Sequence, residues 1–182
     1  VYKGFYENGS IAFEQIKFAT AAFDFDIIPI QTNSGVTQLY VSEADYPAID
    51  DIDNDGDLDI VTFNIGGGYM DYYQDRSVEQ GYGRDSLIFI RRDNCWGGLY
   101  ESGITVAVDL ADTIGQCFEF FDDEPVVSGR HAGSTLLTFD ADDDGDKDLI
   151  LGDLSFDNFN FLTNGGTPQN AWMSEQDNAY PS

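Results

Sequence analysis

Apolar and polar positions in this chain mostly alternate or gather in short runs, and no stretch sustains the three-to-four spacing of a long helix. Residues 10–18 and 35–41 alternate with period two, the mark of half-buried strands. The runs Leu87-Ile-Phe-Ile90 and Ile104-Thr-Val-Ala-Val108 are compact and rich in β-branched residues, so both are expected to be strands. Ile60-Val61-Thr62 and Leu149-Ile150-Leu151 read as buried strands, and Tyr72-Tyr73 and Phe161-Leu162 as their successors. Helical turns are expected only near residues 19–23 and 170–175. The predicted fold class is all-β.

These elements recur. With an offset of 89 residues, Ala48-Ile49 falls on Leu137-Thr138, Ile60-Val61-Thr62 on Leu149-Ile150-Leu151, and Tyr72-Tyr73 on Phe161-Leu162. Asn64-Ile-Gly-Gly-Gly68 likewise falls on the turn-rich Asp153-Leu-Ser-Phe-Asp157. The unit is strand, acidic loop, strand, turn, strand, and self-similarity at such spacing predicts a propeller or another repeat array. Repeat units are expected around 46–75 and 135–166 of one domain spanning 1–182, with 81–117 an insertion or a degenerate unit.

Composition narrows the picture. At 182 residues, 42% of them hydrophobic, the chain can bury a real core and is not a disordered acidic tail. Its formal charge of −26 repels phosphate backbones and anionic lipid, which argues against nucleic-acid and membrane partners. No run of eighteen apolar residues suggests a membrane-spanning helix. Because Val1-Tyr-Lys-Gly-Phe-Tyr6 is no leader, any signal peptide is expected to be gone already. Cys95 and Cys117 are expected to form a disulfide in a calcium-rich extracellular setting, the alternative being two buried free thiols.

The strongest chemical signal lies in the repeat itself. Asp51-Ile-Asp-Asn-Asp-Gly-Asp-Leu-Asp59 and Asp140-Ala-Asp-Asp-Asp-Gly-Asp-Lys-Asp148 carry carboxylates at positions 1, 3, 5 and 9 around a glycine at position 6. A short loop with that pattern can wrap its oxygens around a hard cation such as Ca²⁺, which takes six to eight oxygen ligands. Without a cation the carboxylates would repel one another at close range. An EF-hand would need a Glu at position 12 and flanking helices. Position 12 is Thr62 in the first loop and Leu151 in the second, and both flanks read as strands.

This nine-residue form, set between strands and followed by a turn and an aromatic strand, resembles the FG-GAP/VCBS repeat family. Its members include the calcium-binding blades of integrin-α-like β-propellers, and the nearest likeness is to secreted repeat proteins of Bacteroidota-type bacteria. The resemblance covers about a third of the chain. It implies propeller-type blades, in a partial propeller or a segment of a longer chain, with two structural Ca²⁺ sites. By the family pattern, Asp51, Asp53, Asp55 and Asp59 would give side-chain oxygens to one ion and Asp57 its carbonyl. Asp140, Asp142, Asp144 and Asp148, with the carbonyl of Asp146, would hold the other. The ending Tyr180-Pro-Ser182 resembles the lead-in Tyr46-Pro47, as though a further repeat followed.

Catalytic signals are weak by comparison. His131 stands beside Arg130 and near Ser134, but no G-x-S-x-G elbow or P-loop is present. Trp96, Tyr100, Tyr69 and Tyr72 are candidates for a sugar-binding face, against the blander reading that they pack between sheets. The sequence therefore predicts a secreted or surface-exposed, non-enzymatic calcium-binding module for adhesion, matrix assembly or protein interaction. Its partner would be a protein or glycan surface, or further chains completing the ring. The alternatives are a propeller domain of a polysaccharide lyase or hydrolase, and a carbohydrate-binding module.

Overall fold

The computed structural model describes residues 1–19, 24–25, 27–32, 35–84, 86–119 and 133–181, and these form an all-β protein with no helix among them. The strands begin with a hairpin, β1 (Tyr2–Glu7) and β2 (Ser10–Gln15). Asn8 and Gly9 turn it with φ of 52° and 81°, the paired positive values that a tight hairpin turn needs. Two short pairs follow, β3 (Phe18–Ala19) with β4 (Asp24–Phe25) and β5 (Pro29–Thr32) with β6 (Gly35–Gln38).

Two four-stranded antiparallel meanders then carry most of the structure. The first is β7 (Ala48–Asp50), β8 (Asp59–Phe63), β9 (Met70–Asp75) and β10 (Phe89–Asp93). Between the meanders, β11 (Leu99–Tyr100) pairs with β12 (Asp109–Leu110). The second meander is β13 (Ser134–Phe139), β14 (Asp148–Asp153), β15 (Phe159–Asn164) and β16 (Met173–Tyr180).

The repeat seen in sequence is a repeat in register. Ala48 lies opposite Val61 as Leu137 lies opposite Ile150, and Ile60 opposite Tyr73 as Leu149 opposite Leu162. Alternate side chains of a strand point to opposite faces, and each sheet commits one face to a shared core. Val61, Phe63, Met70 and Tyr72 meet Leu136, Leu149, Leu151, Leu162 and Met173 there, with Trp96, Leu99 and Val108 supplied by the segment between the sheets. On its other face the first sheet packs Ile60, Tyr73 and Phe89 against Ile30 of β5. The face of the second sheet turned away from the shared core leaves Leu137 and Phe159 exposed.

The sheets also join directly at their first strands. Tyr46 makes a parallel bridge to Thr135, its N–H donating to Ser134 O and its carbonyl accepting from Leu136 N–H, both at 2.9 Å. A second parallel bridge, Gly97 to Trp172, fastens the intervening segment to the second sheet.

Two expectations fail. Residues 104–108 form no strand, because distant side-chain amides take their backbone groups. Gln176 both donates to Val108 O at 2.8 Å and accepts from Val108 N–H at 3.0 Å, while Asn160 donates to Val106 O at 3.1 Å. Residues 170–175 are not helical either. They lead into β16, where Thr163 opposite Glu175 and Asn164 opposite Met173 continue the ladder from β15. In the other expected helical turn, Phe18–Ala19 is strand, and residues 20–23 lie outside the described residues.

Candidate metal centres

The two acidic loops connect the first and second strands of their sheets, β7 to β8 and β13 to β14. Their backbones take the same path. Position 4 is left-handed in both, with φ of 63° at Asn54 and 64° at Asp143, and position 6 follows at 98° for Gly56 and 95° for Gly145. A side chain at position 6 would oppose that geometry, which accounts for the glycine in each copy.

This winding turns the odd-numbered aspartates toward common points. One carboxylate oxygen each from Asp51, Asp53 and Asp55 lies within 4.8 Å of the others, and Asp140, Asp142 and Asp144 do the same. In the first loop Asp51 Oδ1, Asp53 Oδ1, Asp55 Oδ2 and Asp57 Oδ1 are all buried without a hydrogen-bond partner, as is Asp146 Oδ1 in the second. Each such oxygen costs about 1–3 kcal/mol, more when charged. Oxygen-only donors gathered with lone pairs unclaimed fit a hard divalent cation. The donor set therefore suits the ion that the loop pattern implies.

Position 9 does something different from positions 1, 3 and 5. Asp59 is fully buried; its Oδ2 accepts from Ile52 N–H at 3.1 Å and the Tyr72 hydroxyl at 3.0 Å, and its Oδ1 from Asp75 N–H at 2.8 Å. Asp148 repeats the pattern, accepting from Ala141 N–H and Asn164 N–H, both at 2.9 Å. Ala141 and Asn164 are the repeat equivalents of Ile52 and Asp75. The last aspartate thus pins the start of its loop to the end of the third strand, and neither belongs to a converging group of three.

At position 7 the side chain of Asp57 is buried, and its Oδ2 accepts from the Ser77 hydroxyl and Val78 N–H, each at 3.0 Å. Its Oδ1 is buried without a partner, and one Asp57 carboxylate oxygen lies within 4.8 Å of one each from Asp55 and Glu79. Glu79 accepts from Gln74 Nε2 at 3.1 Å and pairs with Arg76 at 2.7 Å, while Gln74 also donates to Asp53 Oδ2 at 2.5 Å. Glu79 and Gln74 escaped the sequence reading because they lie outside the nine-residue pattern. The repeat equivalent of Glu79 is Pro168, so no second copy drew attention to it.

Electrostatics follow from this crowding. Burial, reinforced by Asp55, raises the pKa of Asp53 above 3.8. Burial pushes Asp59 up to about 7 although Asp75 N–H, the Tyr72 hydroxyl and Ile52 N–H favour its charged form. Asp146 is raised to about 6 by burial and by the neighbouring Asp144 and Asp148. Asp53, Asp59 and Asp146 thus hold their protons above the normal carboxylate range, and a nearby cation would favour their ionised forms.

The loops are neighbours in space. Asn54 Nδ2 donates to Gly145 O at 2.6 Å, and Gln169 Nε2 to Asp53 O at 3.2 Å. Lys147 and the Thr138 hydroxyl, both from the second sheet, reach Asp50 Oδ2 at 3.2 Å. The first loop is half-buried at Asp51, Asp53 and Asp55, whereas Asp142 and Asp144 of the second are exposed.

The remaining candidates fall elsewhere. Cys95 and Cys117 form the expected disulfide, with Cα atoms 5.7 Å apart. Trp96, Tyr72 and Tyr100 are core residues, and the half-buried Tyr69 donates its hydroxyl to Phe118 O at 2.8 Å, so these four make no exposed sugar platform. Arg130 and His131 lie outside the described residues. The hydroxyl of Ser134 is buried and donates to the Glu101 carboxylate at 3.1 Å.

A cavity of about 670 Å³, lined in part by Ile30, Tyr40, Asn64, Asp71, Tyr73 and Arg91, lies beside the β5–β6 hairpin. Asp71 accepts from the Tyr73 hydroxyl at 3.0 Å and has Arg91 at 3.7 Å, while its Oδ1 is buried without a partner. Among the described residues no helix is long and apolar enough to cross a membrane. The chain matches no protein-family model, and neither curated proteins nor solved structures yield a significant match.

Proposed function

We propose that this chain is a calcium-scaffolded β-repeat module of the FG-GAP/VCBS type, secreted or displayed at a cell surface, that serves adhesion, matrix assembly or protein interaction. One observation carries the reading: two loops at equivalent places in two equivalent meanders turn three carboxylates each toward one point, and the first leaves an oxygen of Asp51, Asp53 and Asp55 buried without a partner. Each four-stranded meander would be a propeller-type blade, and β7 and β13 would be neighbouring inner strands. Asp51, Asp53 and Asp55 would hold one Ca²⁺ and Asp140, Asp142 and Asp144 the other, with Asp59 and Asp148 bracing the loops. The ion supplies charge neutralisation and rigidity, so its binding energy becomes folding energy.

Calorimetric melting with calcium and in chelator tests this. At a hundredfold excess over Kd each site adds about 2.7 kcal/mol, or about 5–10 °C for a chain of this size. A melting temperature that chelation leaves unchanged would sink the proposal.

Glycan binding is a second reading, favoured by the cavity over Asp71. Asp71, Arg91, Asn64 and Tyr40 in its wall offer the acceptors, donors and apolar edge that a neutral sugar uses. Calorimetric titration with neutral oligosaccharides, wild type against Asp71→Asn, tests it; no heat from the wild type rejects it.

A further inference from the structure

We infer that the first loop carries a second cation position beside the one within the loop, formed by the side chains of Asp55, Asp57 and Glu79. The inference rests on reading the loops as cation sites and extends it to a position outside the nine-residue motif. One oxygen from each of these carboxylates lies within 4.8 Å of the other two. Asp57 supplies the independent observation. It is 1% exposed; its Oδ2 is taken by Ser77 and Val78, yet Oδ1 remains buried with no hydrogen-bond partner. A buried carboxylate with one oxygen unclaimed, converging with two further carboxylates, is stabilised by a positive charge.

Arg76 brings one such charge, but at the rim. It pairs with Glu79 at 2.7 Å from a side chain that is 37% exposed, and one monovalent cation does not balance three carboxylates. A divalent ion does so more nearly. Glu79 is exposed and leaves the outer side open to water, which would complete the shell of a cation with three protein carboxylates. Asp55 would be shared between the two ions, which keeps them close without placing like charges in direct contact.

Among the described residues the second loop has no such position. Pro168 stands where Glu79 would fall, so Asp144 and Asp146 gain no third carboxylate there. The chain would then bind three divalent ions, two at the first loop and one at the second. A motif read as two equal sites would in fact be unequal.

Equilibrium dialysis of the metal-stripped chain against radiolabelled Ca²⁺ tests this, in about 0.15 M KCl to screen adsorption on the acidic surface. Wild type should bind three ions and Glu79→Gln two, a loss of one ion, because the substitution keeps size and hydrogen bonding but removes the charge. Two ions in both proteins would overturn the inference, leaving Arg76 as the counter-charge, and would leave the loop sites intact. No bound ion in either would remove the loop reading itself.

Discussion

Asn54 and Gly145 connect the crests of the two acidic loops: the side-chain amide of one donates to the main-chain carbonyl of the other at 2.6 Å, across 91 residues of sequence. Each residue is held ready by a left-handed backbone, φ 63° at Asn54 and 95° at Gly145. The bond makes the loops one structural unit.

Asn54→Gly should separate them. Glycine accepts the positive φ, so the substitution removes the amide with little strain. The expected loss is about 1 kcal/mol of stability, seen in chemical denaturation, together with a weaker influence of Asp144→Ala on calcium affinity at the first loop. Unaltered stability and coupling would show that the contact is incidental.

Stability should respond to pH in opposite senses with and without cation. In the metal-stripped protein burial lifts Asp59 from 3.8 to about 7 and Asp146 to about 6. The unfolded chain ionises first as pH rises, so stability is full below about pH 4 and falls until these groups ionise in the folded state near pH 7. A bound cation favours these ionised forms, and Asp53, a proposed ligand that burial also raises, must lose its proton to bind it, so the calcium contribution grows over the same window. Melting curves with and without calcium should therefore diverge between about pH 4 and pH 7, and curves that stay parallel would contradict the assignment.

Glu101 should give a similar acid-side preference that calcium does not abolish. Burial, followed by the nearby Asp153, pushes it up to about 8, although the Ser134 hydroxyl favours the charged form. Between pH 4.5 and about 8 the folded chain retains a proton that the unfolded chain gives up, so stability falls as pH rises. Glu101→Gln cannot ionise and should remove that part of the slope in calcium-loaded protein. An identical slope would point to other groups.

Opening the Cys95–Cys117 disulfide should cost about 3 kcal/mol through the entropy of a loop of 22 residues. That corresponds to a fall of about 6–12 °C in Tm. Cys95 adjoins Trp96, which is 2% exposed in the shared core, so the double Cys→Ser variant should also shift tryptophan emission to the red. Unchanged melting and emission would mean that packing alone holds this segment.

What was legible in the sequence was what depends on position along one loop. Aspartates and glycine at fixed spacing dictate the turn, and the winding of Asp51–Asp55 recurs at Asp140–Asp144 because the left-handed positions fall at the same places. Short apolar runs likewise marked β8 and β14 within a residue or two. Contacts made across the fold left no such trace. Residues 104–108 carry strand-forming side chains, yet Gln176 and Asn160, remote in sequence, intercept their backbone groups. Aromatic residues announce themselves without saying which face they occupy, and Trp96 and Tyr72 went inward. Glu79 became visible only once β9 and the turn after it brought it back over Asp57.

The bridge from Tyr46 to Thr135 bears on the order in which the molecule assembles. Each meander is built from neighbours in sequence and contains its own acidic loop whole, so each can zip up early from local contacts. Joining them must close a span of about ninety residues, an entropic cost that grows only slowly with length but brings no gain until both surfaces exist. Calcium arriving before that moment would find two separate half-molecules, each able to capture its ion. The union of the sheets would then be the late, slow event of folding, between partners already stiffened by metal.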